Sequence, residues 1–272
     1  MVYNSNLSDD IFNKIKNLIY KKIGVDLKDS KKTMVKSRLL KRLRVLQLDS
    51  FEKYCEYLNN NSDELIILYN LLTTNVTHFF REKHHFDYLK KNVLPDIEKR
   101  NNKKIRVWSA GCSSGQEVYT LSIVLSEYFN SNWNIKILGT DINTDVLKIA
   151  RKGVYSKKSV ENIPYKLLNK YFLLGSGKNE GFFKVKNKLK KNIKLGRLNL
   201  KDTNYPIKKK VDIIFCRNVF IYFDKKTRNQ ILDKFYRNLK KGGYLFLGHS
   251  ESIDLNKSKN DWKFTFKTTY KK

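Results

Sequence analysis

Cysteine, histidine, proline and acidic side chains are all scarce in this chain of 272 residues. The three cysteines, Cys55, Cys112 and Cys216, are odd in number and widely spaced with no CxxC pair, which excludes a disulfide framework and a cysteine-based zinc site. A reducing cytoplasm is the expected compartment. Of the four histidines, His84 and His85 are adjacent, while His78 and His249 stand apart with no HExxH string, so no metal site is expected. No apolar run is long enough to span a bilayer, and Met1-Val-Tyr-Asn-Ser-Asn6 has no basic region followed by a hydrophobic one; neither export nor membrane insertion is expected. Nor is there a GxxxxGK[ST] loop, which argues against phosphate-loop nucleotide hydrolysis. Acid is outnumbered by base, 26 Asp plus Glu against 56 Lys plus Arg, for a formal charge of +30. A potential of that sign favours anionic partners and leaves nucleic acid, an anionic membrane and an acidic protein all open. A general bias toward lysine at surface positions accounts for the excess equally well.

What is present divides the chain in three. Up to about residue 90 the pattern is helical: Ile11, Ile15, Leu18 and Ile19 recur at helical spacing after the capping residue Ser8, and Gly24 suits a stop. Val35, Leu39, Leu43 and Leu46 mark a second helix, on whose opposite side Arg38, Lys41 and Arg44 form an outward basic stripe; as a solvated face it needs no further role. Shorter helices are expected over Phe51–Leu58 and Asp63–Leu72. Residues 91–104, ending in Arg-Asn-Asn-Lys-Lys, read as a linker. From 105 to 272 short apolar strands alternate with amphipathic helices, the rhythm of a doubly wound, mostly parallel α/β sheet. Strands are expected at Ile105–Ser109, Ile135–Asp141, Val211–Cys216, Tyr244–Gly248 and Trp262–Tyr270, the last with Trp262, Phe264 and Phe266 turned inward. Helices are expected at Gly115–Phe129, Thr144–Arg151 and Asp224–Leu239, the last stopped by Gly242-Gly243. Within about 155–195 the rhythm breaks. There Tyr171–Leu174 and Phe182–Val185 flank a glycine-rich turn and read as a small antiparallel β insertion.

Chemistry gathers where the strands end. Trp108-Ser-Ala-Gly-Cys-Ser-Ser-Gly-Gln-Glu117 lies between a strand and a helix; Gly111 permits a tight turn, and Gly115 is expected to let the helix open close to a ligand. The spacing departs from GxGxxG and is weak alone. Asp141, at the end of the next strand, stands where a carboxylate accepts both ribose hydroxyls, so the pair of features points to a nucleoside site. Val211–Phe215 runs into Cys216-Arg-Asn-Val-Phe-Ile-Tyr-Phe223, and ligands on such sheets bind at the carboxyl ends of strands, which brings Arg217, Asn218 and Tyr222 to the same crevice. Position alone leaves Tyr222 equally readable as a core aromatic beside Phe220 and Phe223. In Thr73-Thr-Asn-Val-Thr-His-Phe-Phe-Arg-Glu82 the crowded hydroxyls and amide compete with helical hydrogen bonds, so a loop over the ligand is expected, bringing His78 and Arg81 near it.

Taken together, Thr73–Glu82, Val107–Glu117, Thr140-Asp-Ile-Asn143, Ile214–Phe223 and Gly248-His-Ser-Glu-Ser252 resemble the chemotaxis receptor methyltransferases, in family order and over nearly the whole chain. The resemblance implies a helical N-terminal domain, a linker and a methyltransferase sheet with a small antiparallel subdomain. It implies S-adenosylmethionine as cofactor, leaving as S-adenosylhomocysteine, held by Asn75, Thr77, Arg81, Glu117, Asp141, Asn199, Leu200, Arg217 and Asn218 beside the Gly111 turn. Arg81 and Tyr222 are implied beside the transferred methyl, orienting the incoming glutamate carboxylate. The implied partner is the cytoplasmic helical region of membrane chemoreceptors, with the basic stripe Arg38, Lys41 and Arg44 as a cradle for acidic helices. Whether the lysine-rich insertion takes a receptor's C-terminal peptide stays open. A monomer is expected.

Two other readings remain. A nucleic-acid methyltransferase fits the positive charge, yet the only prolines, Pro95, Pro164 and Pro206, allow no Asn/Asp-Pro-Pro-Tyr/Phe string for base amino groups. A non-catalytic S-adenosylmethionine-binding adaptor is opposed by the presence of Arg81 and Tyr222. Cys216, at the end of an apolar strand, reads as a buried thiol rather than a nucleophile.

Overall fold

The structure, a computed structural model, describes residues 6–100 and 103–272. Residues 1–5, most of the segment read for an export signal, and 101–102 of the expected linker lie outside the described residues.

Four helices build the N-terminal third: α1 (Asp9–Ile23), α2 (Lys32–Leu46), α3 (Phe51–Asn60) and α4 (Ser62–Leu72). Ser8 caps α1 by accepting from the Ile11 amide, Asp9 and Asp10 sit at the positive end of its dipole, and Gly24 ends it at φ +78°. Its buried stripe of Ile11, Phe12, Ile15, Ile19 and Ile23 packs with Val35, Leu39 and Leu43 of α2 into a core separate from that of the sheet. Inside it Glu64 accepts two hydrogen bonds from Arg42, at 2.9 and 2.6 Å, and a third from the Tyr54 hydroxyl at 2.8 Å, pinning α4 to α2 and α3. The bidentate geometry offsets the cost of burying the carboxylate.

Helices α5 (Lys83–Tyr88) and α6 (Leu94–Arg100), joined by a π-helical turn at Leu89–Val93, lead into the sheet. Most of the expected linker is therefore helical. The strands and helices that follow are β1 (Lys104–Ala110), α7 (Gln116–Tyr128), β2 (Asn134–Asp141), α8 (Thr144–Lys152), β3 (Val154–Ser156), α9 (Lys157–Val160), α10 (Tyr165–Tyr171), β4 (Phe172–Leu174), β5 (Phe182–Val185), α11 (Asn187–Lys190), β6 (Ile193–Arg197), β7 (Val211–Cys216), α12 (Lys225–Asn238), β8 (Leu239–Leu247), β9 (Lys263–Phe266) and β10 (Thr269–Lys271). A seven-stranded sheet runs β6-β2-β1-β7-β8-β10-β9, parallel up to β8 and antiparallel beyond, and a separate three-stranded antiparallel sheet runs β3-β5-β4. Period two decides which face each residue serves. Val107, Ile213, Phe215 and Phe246 pack under α5, α6 and α7, whereas Trp108, Ala110, Ile214, Leu245 and Leu247 pack with Ile231, Leu232 and Phe235 on and around α12. Strand order reverses at β1 and β7, the switch point at which such sheets open a crevice.

Three expectations change. Trp262–Tyr270 is not one strand but the hairpin β9–β10, turned at Thr268 with φ +49°, which leaves Phe264 59% exposed. Gly242-Gly243 do not stop a helix; they lie inside β8, where the register against β7 shifts. The insertion has three strands rather than two, and Ile193–Leu195 belong to the edge strand β6 of the large sheet. No helix among the described residues is long and apolar enough to cross a membrane.

Glu64→Ala, which strands Arg42 against the helical core, should cost about 3 kcal/mol, while Lys53→Ala, which breaks the exposed pair with Asp49, should leave stability close to the parent's. Chemical denaturation checks this, the two midpoints separating widely at unchanged m.

Candidate active site

The turn after β1 is held before any ligand arrives. Gly111 and Cys112 both donate their amides to the Thr140 carbonyl, at 2.8 and 2.9 Å. Gly111 has φ +84°, and a Cβ there would lie 2.5 Å from Val219 Cγ2, so glycine lets the loop after β7 close over the end of β1. Gly115 serves packing instead. Its Cβ would strike Ala150 at 2.8 Å and the Tyr155 hydroxyl at 3.0 Å, which corrects the expectation that it makes room for a ligand.

Asp141 closes β2 with both oxygens bonded, one to the Ser113 amide at 2.8 Å and the other to that of Asn143 at 2.9 Å. Burial pushes its carboxyl up, and these amides oppose the shift. The side chain is fixed toward the crevice by backbone alone.

Across the crevice, Arg217 is buried over the rings of Phe86 and Phe215. Its Nε donates to Glu117 at 2.8 Å, while Nη1 donates to the Arg81 carbonyl at 2.6 Å. Glu117 is held from behind by the Ser109 hydroxyl at 2.7 Å. Asn218 follows in the left-handed region at φ +59°, its Nδ2 3.3 Å from Glu82 and its buried Oδ1 without a partner among the described residues. Burial alone would push Glu82 up, but hydrogen bonds from His85 and His249 and the charge of Arg217 hold it well below the usual carboxylate range.

The roof comes from the helical third. Segment 73–82 crosses the sheet without regular structure, the Asn75 carbonyl accepting from the Ser113 hydroxyl at 3.0 Å and the Val76 carbonyl from Arg81 at 2.9 Å. The end of α1 is stitched on beside it. Asn199 and Lys201 donate to the Lys22, Tyr20 and Lys21 carbonyls, and the Asp26 amide donates to the Tyr222 carbonyl at 2.8 Å. Between roof and sheet lies a cavity of about 400 Å³.

This cavity brings together Asn75, Thr77 and Arg81 from the crossing segment, Gly111, Glu117 and Asp141 from the first two strand ends, and Asn199, Leu200, Arg217, Asn218 and Tyr222 from the later ones. Tyr222 donates weakly to the Thr74 carbonyl at 3.5 Å, and burial pushes its hydroxyl up, so it stays protonated through the neutral range. His78 is exposed and does not line the cavity. Lys41 and Arg44 are exposed as a stripe requires, but Arg38 is not part of it: its guanidinium donates to the Leu71 and Thr73 carbonyls at 2.6 and 2.9 Å, closing the end of α4. Cys112 and Cys216 are buried, and burial pushes both thiols up. Among the described residues one group of candidate metal donors occurs, Glu82, His84 and His85 within 4.8 Å of one another. His85 Nε2 lies 3.1 Å from both the Lys267 carbonyl and the Thr268 hydroxyl, and Glu82 faces His249 and Arg217.

Glu82, Glu251 and the cavity-lining Lys28 and Lys31 were not expected from sequence. For Glu251 a signal existed in Gly248-His-Ser-Glu-Ser252; for the lysines none did.

Against known proteins, residues 75–271 match the family model "CheR methyltransferase, SAM binding domain" and residues 10–73 match "CheR methyltransferase, all-alpha domain". A chemotaxis protein methyltransferase of Borreliella burgdorferi is 41% identical over 99% of this chain and 96% of its own length. Those of Salmonella typhimurium and Escherichia coli are 41% and 40% identical over 91% of this chain, covering 85% and 86% of theirs. The two matches meet at residue 74, inside the segment that crosses the cavity, and relatives align across both: the chain belongs to the CheR methyltransferase family.

Proposed function

We propose that this protein transfers methyl from S-adenosylmethionine to glutamate side chains of chemoreceptors, as a cytoplasmic enzyme of sensory adaptation. Family membership supports the activity, and the buried, partnerless Asn218 Oδ1 in a cavity shared with the Asp141 carboxylate is the observation that carries the cofactor. A polar ligand with amino and hydroxyl donors fits both groups, and about 400 Å³ is of the size small-molecule sites have. Asp141 would hold the ribose, while Asn75, Thr77, Gly111, Asn199, Leu200 and Asn218 would close around the rest. The pairing of Arg217 with Glu117 neutralises the buried guanidinium on the cavity wall.

S-adenosylmethionine supplies a methyl carbon made electrophilic by the adjacent sulfonium and departs as S-adenosylhomocysteine. The receptor glutamate, with an ordinary pKa of about 4.3, is already ionised at neutral pH, so no residue of this chain has to take a proton. What remains is placement. Arg81 would orient one carboxylate oxygen and Tyr222 would donate a hydrogen bond to it, and such positioning recovers several kcal/mol of entropic cost. The ester product is neutral, which lowers repulsion between acidic receptor helices.

For partition we propose a helical domain over 1–90, a connector over 91–104 and a methyltransferase domain over 105–272, with the β subdomain at about 155–195, the whole acting as a monomer. In the three-stranded sheet β3 and β4 are edges, to either of which a receptor's C-terminal peptide could add as a further strand. Lys41 and Arg44 would meet acidic receptor helices, without Arg38, whose guanidinium closes the end of α4.

Receptor-rich membranes incubated with radiolabelled cofactor and then treated with base should release volatile methanol, whereas label retained as methylated amine or nucleic acid would reject the assignment. Tyr222→Phe should lower kcat about 100-fold with the affinity for S-adenosylhomocysteine within about twofold; equal losses in both would remove Tyr222 from the reacting end. Reversing Lys41 and Arg44 to Glu should raise the receptor KM about fivefold at low salt, a difference that shrinks as salt is added. An unchanged KM at low salt would free the stripe of any role.

A further inference from the structure

Behind the loop that carries Arg217, Asn218 and Tyr222 lies a carboxylate that touches neither the cavity nor a cation. Glu251 is 4% exposed. One of its oxygens accepts the Asn218 and Gly248 amides, at 2.9 and 2.6 Å, and the other accepts those of Phe220 and Ile221, at 2.7 and 3.3 Å. No salt bridge involves it among the described residues. A carboxylate is costly to bury unless hydrogen-bonded, and here every partner is backbone of the same short loop or of the turn after β8.

The loop needs such a fastener because it has little regular structure of its own. Between the end of β7 and the start of α12 it makes a single 3-10 turn, Phe220–Tyr222, and places Asn218 in the left-handed region. Amides pointing away from the cavity would otherwise be buried unpaired. The turn on which Glu251 stands is fitted just as closely. A Cβ on Gly248 would lie 2.7 Å from the Asn218 amide nitrogen and 2.9 Å from Glu251 Oε2.

We propose that Glu251 is a positioning residue of the methyl transfer, setting the cavity-facing side of the 217–222 loop through its backbone. The inference rests on the reading given under Proposed function. Glutamine is the discriminating substitution: whichever way its amide is turned, the NH2 faces two backbone N–H donors in place of an acceptor. In Glu251→Gln the amides of Asn218 and Phe220 should exchange hydrogen about tenfold faster or more, while those of Ile213–Phe215 in β7 keep their protection. The affinity for S-adenosylhomocysteine should fall about tenfold and kcat with saturating cofactor about 100-fold, as expected when reacting groups are displaced by about an ångström. If Glu251→Gln does not fold, Gly248→Ala decides by the same readouts, since its Cβ presses between the Asn218 amide and Glu251 Oε2 while the carboxylate keeps its charge and acceptors. Faster loop exchange with binding and turnover both within twofold of the parent would overturn the proposal; so would unchanged exchange, or loss of fold in both variants. Exchange and S-adenosylhomocysteine binding need no receptor, so a parent protein that binds the product but releases no methanol would sink the functional reading, whereas a parent that releases methanol with both variants unaltered would sink this one alone.

Discussion

The site depends on one buried guanidinium. Arg217 is 2% exposed at its side chain, a position that costs several kcal/mol unless its charge is met and its donors are used. Glu117 meets the charge, and the Arg81 carbonyl takes another donor. Through these bonds the end of β7, the first turn of α7 and the segment that roofs the cavity are held to one another. Three pieces far apart in sequence thus share a single electrostatic constraint. Losing Glu117 would leave Arg217 only the longer ion pair with Glu82 at 3.6 Å as well as a gap in the cavity wall, so its effects on binding and on stability are inseparable.

The second constraint is geometric. Because the strand order reverses between β1 and β7, the loops after these strands diverge over the sheet and leave a crevice at their carboxyl ends. A crevice is open to water on one side. Here the helical third closes it, with Lys201 satisfying carbonyls at the end of α1, Tyr20 donating to Asp224 at 2.8 Å, and Asn143 and Asn70 knitting α4 to the start of α8. These contacts are hydrogen bonds at helix ends and between side chains, joined by Val25, which packs against both cores. The roof is therefore attached by its edges around the cavity.

What could be read in the sequence follows from the range of the forces involved. The strands and the helices of the first third are set by local period and caps, and Asp141, Arg217 and Asn218 sit at strand ends where topology sends them to the crevice. Asn199 and Leu200 entered by family resemblance alone; no local pattern marks them. Arg38 misled because helical spacing says which way a side chain leaves the axis, and its long stem then bends back to the carbonyls of α4. Glu251 stood inside a quoted string yet drew no role, because its partners are amides, three of the four 30 to 33 positions away. The β9–β10 hairpin escaped for a related reason. Alternation over Trp262–Tyr270 is the same for one strand as for two, and the turn is made by Thr268 rather than by a residue that favours φ above zero.

A reaction in which the nucleophile is ionised from the start asks an enzyme for little acid–base chemistry and much placement. Three of the buried acids of this chain are spent accordingly. Asp141 is aimed by two amides, Glu117 by a guanidinium and a hydroxyl, and Glu251 by four amides; none stands beside a partner arranged to exchange a proton with it. In a protein with 26 acidic residues against 56 basic ones, three fully bonded carboxylates around one cavity are a concentrated use of a scarce group. Most of the surplus of base lies outside, where a positive surface favours anionic partners.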